Sequence, residues 1–212
     1  LDKQTDDAHD NPVMSIDRKG YIWIFSTSHG VSRPSYIHRS AKPFDIESFE
    51  QIEASRVGTD GQREPFNNFS YFQIWPRPEG GFVSYLTLYH NPVYRTTFFC
   101  RTDDGVSWDQ PIRLGAMGEG HYQVSYATGD KSGCAFNFHP PALEDESGPG
   151  IDRRSNLYYL ETPDEGKTWQ NIRGENVTLP LTNPDNSALV HDYRAEGLTV
   201  YMKDITQIGR AS

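Results

Sequence analysis

A chain of 212 residues with 29 acidic and 20 basic side chains carries a formal charge of −9, and 13% of its residues are aromatic. That acidic balance, with no clustered Lys/Arg footprint, argues against a nucleic-acid partner, and no apolar run approaches the roughly 18 residues of a transmembrane helix, so no membrane partner is expected either. The composition suits an all-β domain with many polar loops.

In chain order, the first predicted unit runs HDNPVMSID, YIWIFSTSHG, SYIHRS and FEQIEAS. The second runs NNFSYFQIWPRP, GFVSYLTLYHN, RTTFFCRTDDG and SWDQPIRLG, and the third HYQVSYATGD, SGCAFNFHPP, NLYYLETPDEG and TWQNIRG. ALVHDYRAEG and LTVYMKDI read as the opening pair of a fourth. Each stretch is rich in aromatic and β-branched residues and bounded by Gly, Pro, Asp or Asn, the pattern of strands. No window of helical length has apolar residues three and four apart, which a helical solenoid would need.

A four-strand unit repeated along a chain signals a β-propeller, whose blades are four-stranded antiparallel sheets. The expected fold is therefore all-β, a single propeller domain over 1–212 with approximate blades 1–60, 61–115 and 116–175 and the start of another over 176–212. Propellers close with about four to eight blades. A chain that opens without an initiator methionine and stops two strands into a fourth unit is expected to be part of a larger ring.

Six of the seven histidines fall at two repeating places. His9, His121 and His191 lie near the starts of first strands; His29, His90 and His139 lie near the ends of second strands. Because those strands are antiparallel neighbours, both sets are expected to rim one mouth of the propeller. Cys100 and Cys134 fall within predicted strands and read as small buried hydrophobes.

Two acidic turns mark the architecture. TPDEGKTW, from Thr162 to Trp169, has the spacing of the Asp-box of sialidase-type propellers, and RTDDGVSW, from Arg101 to Trp108, is a looser copy with Arg where the first hydroxyl residue is expected. In such a turn the Asp side chain accepts backbone N–H bonds, Gly permits positive φ, and Trp packs inward.

The stretches HDNPVMSIDRKGYIWIFSTSHGVSRPSYIHRS, GHYQVSYATGDKSGCAFNFHP and DRRSNLYYLETPDEGKTWQNIRGENVTLPL together resemble the bacterial neuraminidase (BNR) repeat proteins, in the branch that includes the propeller ulvan lyases. The resemblance implies a seven-bladed ring, of which this chain would be about half, and β-elimination on a uronate-containing anionic polysaccharide. Elimination needs a base for the C5 proton, an acid for the leaving oxygen and a charge that neutralises the carboxylate. Histidine suits the proton transfers because its ordinary pKa is close to 6.5.

His9 and His29 match the family's pair of site histidines, and Tyr71 matches its tyrosine, with Tyr89 in reserve. The family's neutralising arginine is expected where this chain has Leu88, so Arg33 or Arg95 would have to supply the charge. Arg153 and Arg154 also fit the family pattern and would hold a carboxylate or sulfate through a guanidinium fork. His121 and His139 read either as substrate contacts or, with Cys134, as ligands of a structural zinc. The reaction itself requires no cofactor, and a structural zinc or calcium ion is the one metal considered. A monomer that is secreted or periplasmic is expected.

Two alternatives stand beside the lyase. A non-catalytic carbohydrate-binding propeller would stack sugars on Tyr71, Tyr89, Tyr122 and Trp75. A sialidase-like hydrolase would need an arginine triad, a Tyr–Glu pair and an Asp acid, and has no use for paired histidines. No G-x-S-x-G elbow or Walker-type phosphate loop is present.

Overall fold

The computed structural model describes residues 5–129, 131–141 and 153–206. The elements among them are strands, and they fall into two compact units: Leu1–Tyr89 with Phe99–Ile112, and His90–Phe98 with Arg113–Ser212. No helix among the described residues is long and apolar enough to cross a membrane.

The first unit opens with β1 (Val13–Ile16), β2 (Ile22–Ser26), β3 (Tyr36–Ser40) and β4 (Phe49–Ile52), an antiparallel sheet in chain order. The β1–β2 turn is set by Asp17, whose Oδ1 accepts the backbone N–H groups of Lys19 and Tyr21. Gly20 follows at φ 84°, where an added Cβ would lie 2.5 Å from the Phe44 ring, so the turn needs glycine. Trp23, Phe25 and Ile37 point inward and are buried.

Next come β5 (Ser55–Val57) and β6 (Arg63–Pro65), a hairpin the four-strand pattern did not anticipate. The following strands are β7 (Ser70–Pro76), β8 (Phe82–Tyr89), β9 (Arg95–Thr102), β10 (Ser107–Trp108) and β11 (Ile112–Gly115). Their sheet has the order β6-β5-β10-β9-β8-β7, with β11 also on β9, and the hairpin joins through a parallel pairing of β5 with β10. Every residue of β8 is buried. Phe25, Phe66, Phe69, Phe72 and Trp108 form the aromatic core of this unit, with centroid distances such as 4.6 Å for Phe69–Phe72 and 5.1 Å for Phe66–Trp108. Such tilted contacts contribute beyond the area they bury.

The second unit carries β12 (Gln123–Thr128), β13 (Lys131–Phe138), β14 (Ser155–Thr162) and β15 (Leu189–His191) as a four-stranded antiparallel sheet. Its fourth strand is not the expected TWQNIRG. Asn171 Oδ1 accepts the N–H groups of Arg173 and Glu175, closing a turn that leaves only isolated bridges at Gln170. ALVH, expected to open a fourth unit, instead supplies β15 and pairs Leu189 with Tyr158. LTVYMKDI forms no strand, although the Val200 N–H donates to the Arg154 carbonyl.

Both cysteines are buried, and burial pushes their thiols up, to about 12 for Cys100. The acidic turns are built alike but are not the same length. In one, Thr162 Oγ1 donates to Asp164, and Asp164 accepts the backbone and side-chain donors of Thr168. In the other, Thr102 supplies the hydroxyl and Asp104 accepts the N–H groups of Val106 and Ser107. The hydroxyl therefore comes from Thr102, not from position 101, because this turn is one residue tighter; Arg101 pairs with Asp103 at 2.9 Å.

Candidate active site

Two loops and one bulge assemble the site of the first unit. Thr5–Asn11 precedes β1 and folds onto itself: the Asp7 N–H donates to Thr5 Oγ1 at 3.0 Å, and the His9 N–H to Asp7 Oδ1 at 2.9 Å. The same Oδ1 receives His9 Nδ1 at 2.7 Å, while Asp7 Oδ2 receives His29 Nδ1 at 2.8 Å. The two imidazoles stack with centroids 4.3 Å apart and planes inclined by 22°.

The His29 loop between β2 and β3 is fixed from below by Asp10. This carboxylate is 5% exposed and accepts the His29 N–H at 2.5 Å and Arg33 Nη2 at 2.8 Å. Burial works to raise its pKa, but Arg33, Thr5 and the His29 N–H outweigh that and hold it below the usual carboxylate value. Further bonds tie the loop to the start of β7: the Ser35 N–H donates to the Asn67 carbonyl at 2.7 Å, and Ser70 Oγ donates to the Ser28 carbonyl.

Tyr71 sits in a bulge, where the β7–β8 register slips between Ser70 and Gln73, at φ 47°. Left-handed backbone at a bulky residue costs on the order of 1–3 kcal/mol and concentrates at functional positions. The bulge turns its ring edge-on to His29, with centroids 5.9 Å apart, and to His9 at 6.4 Å. Tyr89, ending β8, meets His29 from another side at 5.9 Å. His29 Nε2 is buried with no hydrogen-bond partner among the described residues, whereas His9 remains exposed.

The second unit gathers a different set. Gly120 bridges Arg95 on one side and His139 on the other, and at its φ of 114° a Cβ would lie 2.0 Å from the Arg95 carbonyl oxygen. This close approach brings two guanidinium groups near the Tyr122 ring, Arg95 at 5.3 Å and Arg154 at 4.7 Å. His139 meets the edge of the same ring at 4.8 Å. Its two ring nitrogens are buried without hydrogen-bond partners among the described residues. Burial first, then the charges of His121, Arg95 and Arg154, press its pKa down to about 3. Arg153 lies half-buried and donates to the Pro141 carbonyl at 3.3 Å.

Several expectations are corrected by these positions. The six histidines do not form one class of rim residue: His9, His90 and His191 are exposed, whereas His121 and His139 are wholly buried. His121 is not placed for substrate or zinc, because Nδ1 pairs with the Asn137 carbonyl at 2.7 Å and Nε2 accepts the Met117 N–H at 3.1 Å. Cys134, a protonated thiol by virtue of its burial, completes no donor set with the two histidines. Arg33 is engaged by Asp10 and by the Thr27 carbonyl at 2.7 Å, which leaves it poorly placed to neutralise a ligand carboxylate. Leu88 is buried in β8.

Asp7 and Asp10 were missed from sequence, although the run TDDAHD held the signal of carboxylates on both sides of a histidine. Among the described residues, Asp7, His9 and His29 are the group whose donor atoms converge, all within 4.8 Å. Separations of 2.7 and 2.8 Å are those of direct hydrogen bonds. Ligands of a tetrahedral zinc would stand about 3.3 Å apart at ordinary bond lengths.

The description "BNR repeat-containing family member" matches residues 1–201. An ulvan lyase of Nonlabens ulvanivorans is 25% identical across 93% of this chain and 46% of its own length. An ulvan lyase of Alteromonas sp. (strain LOR) is 23% identical across 83% of this chain and 39% of its own. A solved PL25 ulvan lyase bound to -[GlcA(1-4)Rha3S]- superposes with a TM-score of 0.64 at 20% identity, covering 91% of this chain and 48% of that one. The chain thus spans less than half the length of these relatives. The fold class holds as expected: an all-β propeller chain whose sheets are antiparallel blades, one of them extended by the β5–β6 hairpin.

Proposed function

We propose, since the chain belongs to the BNR repeat-containing family, that it is part of a polysaccharide lyase cleaving a uronate-containing, ulvan-like anionic polymer by β-elimination. The observation that carries this reading is the stacked His9–His29 pair beside Tyr71, a tyrosine held in left-handed backbone. One imidazole removes the C5 proton of the uronate, the C4–O bond breaks as the C4=C5 double bond forms, and the departing oxygen takes a proton from the other imidazole or from the Tyr71 hydroxyl. His29, half-buried with its Nε2 shielded from solvent and flanked by two tyrosines, is suited to a water-poor proton transfer; His9 faces solvent and can exchange its proton with it.

The Arg95–Arg154–Tyr122 cluster supports an anionic sugar as ligand, since guanidinium forks fit carboxylate or sulfate and the tyrosine offers a stacking face. The acidic turns at Asp104 and Asp164 are read as Asp-boxes that brace the blades. A polymer of this kind is met outside the cell, so the protein is read as secreted or periplasmic.

Burial of Leu88 at the position of the family's arginine favours a second reading, a binding propeller without turnover. The test is the ultraviolet absorbance of unsaturated uronate, followed with ulvan and other uronate polymers. A rise with wild type that drops at least about 100-fold in His29→Ala and in Tyr71→Phe supports the lyase. Retained polymer binding with no rise on any polymer refutes it in favour of the binding propeller.

A further inference from the structure

We propose that Asp7 is a positioning residue: its carboxylate, bridging His9 and His29, fixes both imidazoles as the Nδ1–H tautomer and so makes Nε2 the proton-exchanging atom of each. The inference deepens the elimination reading and rests on it for its kinetic consequence alone; the tautomers are a property of the protein with or without turnover.

Three observations lead there. Each carboxylate oxygen takes one imidazole, Oδ1 that of His9 at 2.7 Å and Oδ2 that of His29 at 2.8 Å. The His9 backbone N–H and both imidazoles hold the Asp7 carboxyl far below its ordinary value, so it is ionised and can only accept. An acceptor facing two nitrogens requires a proton on both of them. A neutral imidazole protonated at Nδ1 carries its lone pair at Nε2, and in His29 that Nε2 is buried without a hydrogen-bond partner among the described residues.

The bridge also ties the two rings into one unit. Their stacking at 4.3 Å sets two potential positive charges close together with a single carboxylate to offset them. Asp10 is no substitute, because its oxygens hold Arg33 and the His29 backbone.

The direct test is the nitrogen-15 NMR of the histidine rings in the full chain under mildly alkaline conditions, where shifts and couplings report which ring nitrogen bears the proton. Wild type is expected to show Nδ1–H for His9 and His29. Asp7→Asn offers one carbonyl oxygen and one NH2 group, so one of the two rings must turn to the Nε2–H form. On a polymer that wild type cleaves, the same variant is expected to lose about 10²- to 10⁴-fold in kcat with KM changed by less than about threefold, and Asp7→Glu to recover part of it. A wild-type ring of His9 or His29 that carries its proton on Nε2 alone, with Nδ1 unprotonated, overturns the proposal, as do unchanged tautomers and kcat in Asp7→Asn. Should Asp7→Asn fail to fold, the wild-type spectrum still decides. If no polymer is cleaved by wild type, the elimination reading fails while the spectra judge Asp7 alone.

Discussion

His121 is expected to make the fold sensitive to acid at pH values where its carboxylates are still ionised. The ring is wholly buried, donates from Nδ1 to the Asn137 carbonyl and accepts the Met117 N–H at Nε2, so it clamps the segment before β12 to the end of β13. Adding a proton at Nε2 would set two donors against each other in a dry site. Burial accordingly presses its pKa from 6.5 down to about 4, against a smaller upward pull from the Asn137 carbonyl. The unfolded chain takes up this proton near the ordinary value, whereas the folded chain takes it up only near the depressed one. Its contribution is therefore complete above about pH 6.5, declines by about 1.4 kcal/mol per pH unit below that, and is gone once the pH has passed through about 4. The accumulated loss is about 3 kcal/mol.

His139, pressed down to about 3, adds a second dependence of the same sign. Asp10, Asp104 and Asp164 also have lowered pKa values, and theirs is stability lost at more acidic pH, below the ordinary carboxylate range. Between about pH 4.5 and 6.5 the buried histidines should thus dominate. Urea unfolding followed by tryptophan fluorescence across this interval should show at least about two protons taken up on unfolding of the wild type, to which the half-buried His38 with its lowered pKa also contributes, and about one fewer for His121→Gln, whose amide can both donate and accept in place of the ring. A wild-type stability that stays flat over the interval, or a variant that keeps the full slope, would refute the reasoning.

Two further outcomes follow from the same geometry. Asp10→Ala strips Arg33 and the His29 N–H of their buried acceptor and is expected to cost about 3 kcal/mol in urea unfolding, far more than an exposed ion pair would; a loss below about 0.5 kcal/mol would contradict the role given to Asp10. Asp164→Ala removes the acceptor of the Thr162 hydroxyl and of both Thr168 donors and should cost about 1–2 kcal/mol, whereas Asp164→Asn, which keeps one acceptor oxygen, should cost less.

The strands of the three repeated units were legible because their signal is local: alternating aromatic and β-branched residues between turn residues. What escaped was decided by turns and by distant partners. The hairpin of β5 and β6 has little apolar alternation of its own and is held by pairing with β10, 52 residues on. TWQNIRG reads as a strand until Asn171 is seen to cap its own turn, after which ALVH is free to take the edge of β14.

The site divides along the same line. His9 and His29 stand out by their place in the repeat, but what they can do depends on Asp7, which reaches them only because Thr5–Asn11 folds back on itself. Arg33 looks like a free cation in sequence and becomes a structural one when Asp10 is found buried beneath His29. His121 and His9 occupy equivalent places in the repeat and yet differ in chemistry, since one has both ring nitrogens bound to backbone and the other has one bound to a carboxylate. A repeat carries a residue to the same strand end each time; which groups then surround it is settled by the loop that follows, and in this chain the loops differ where the strands agree.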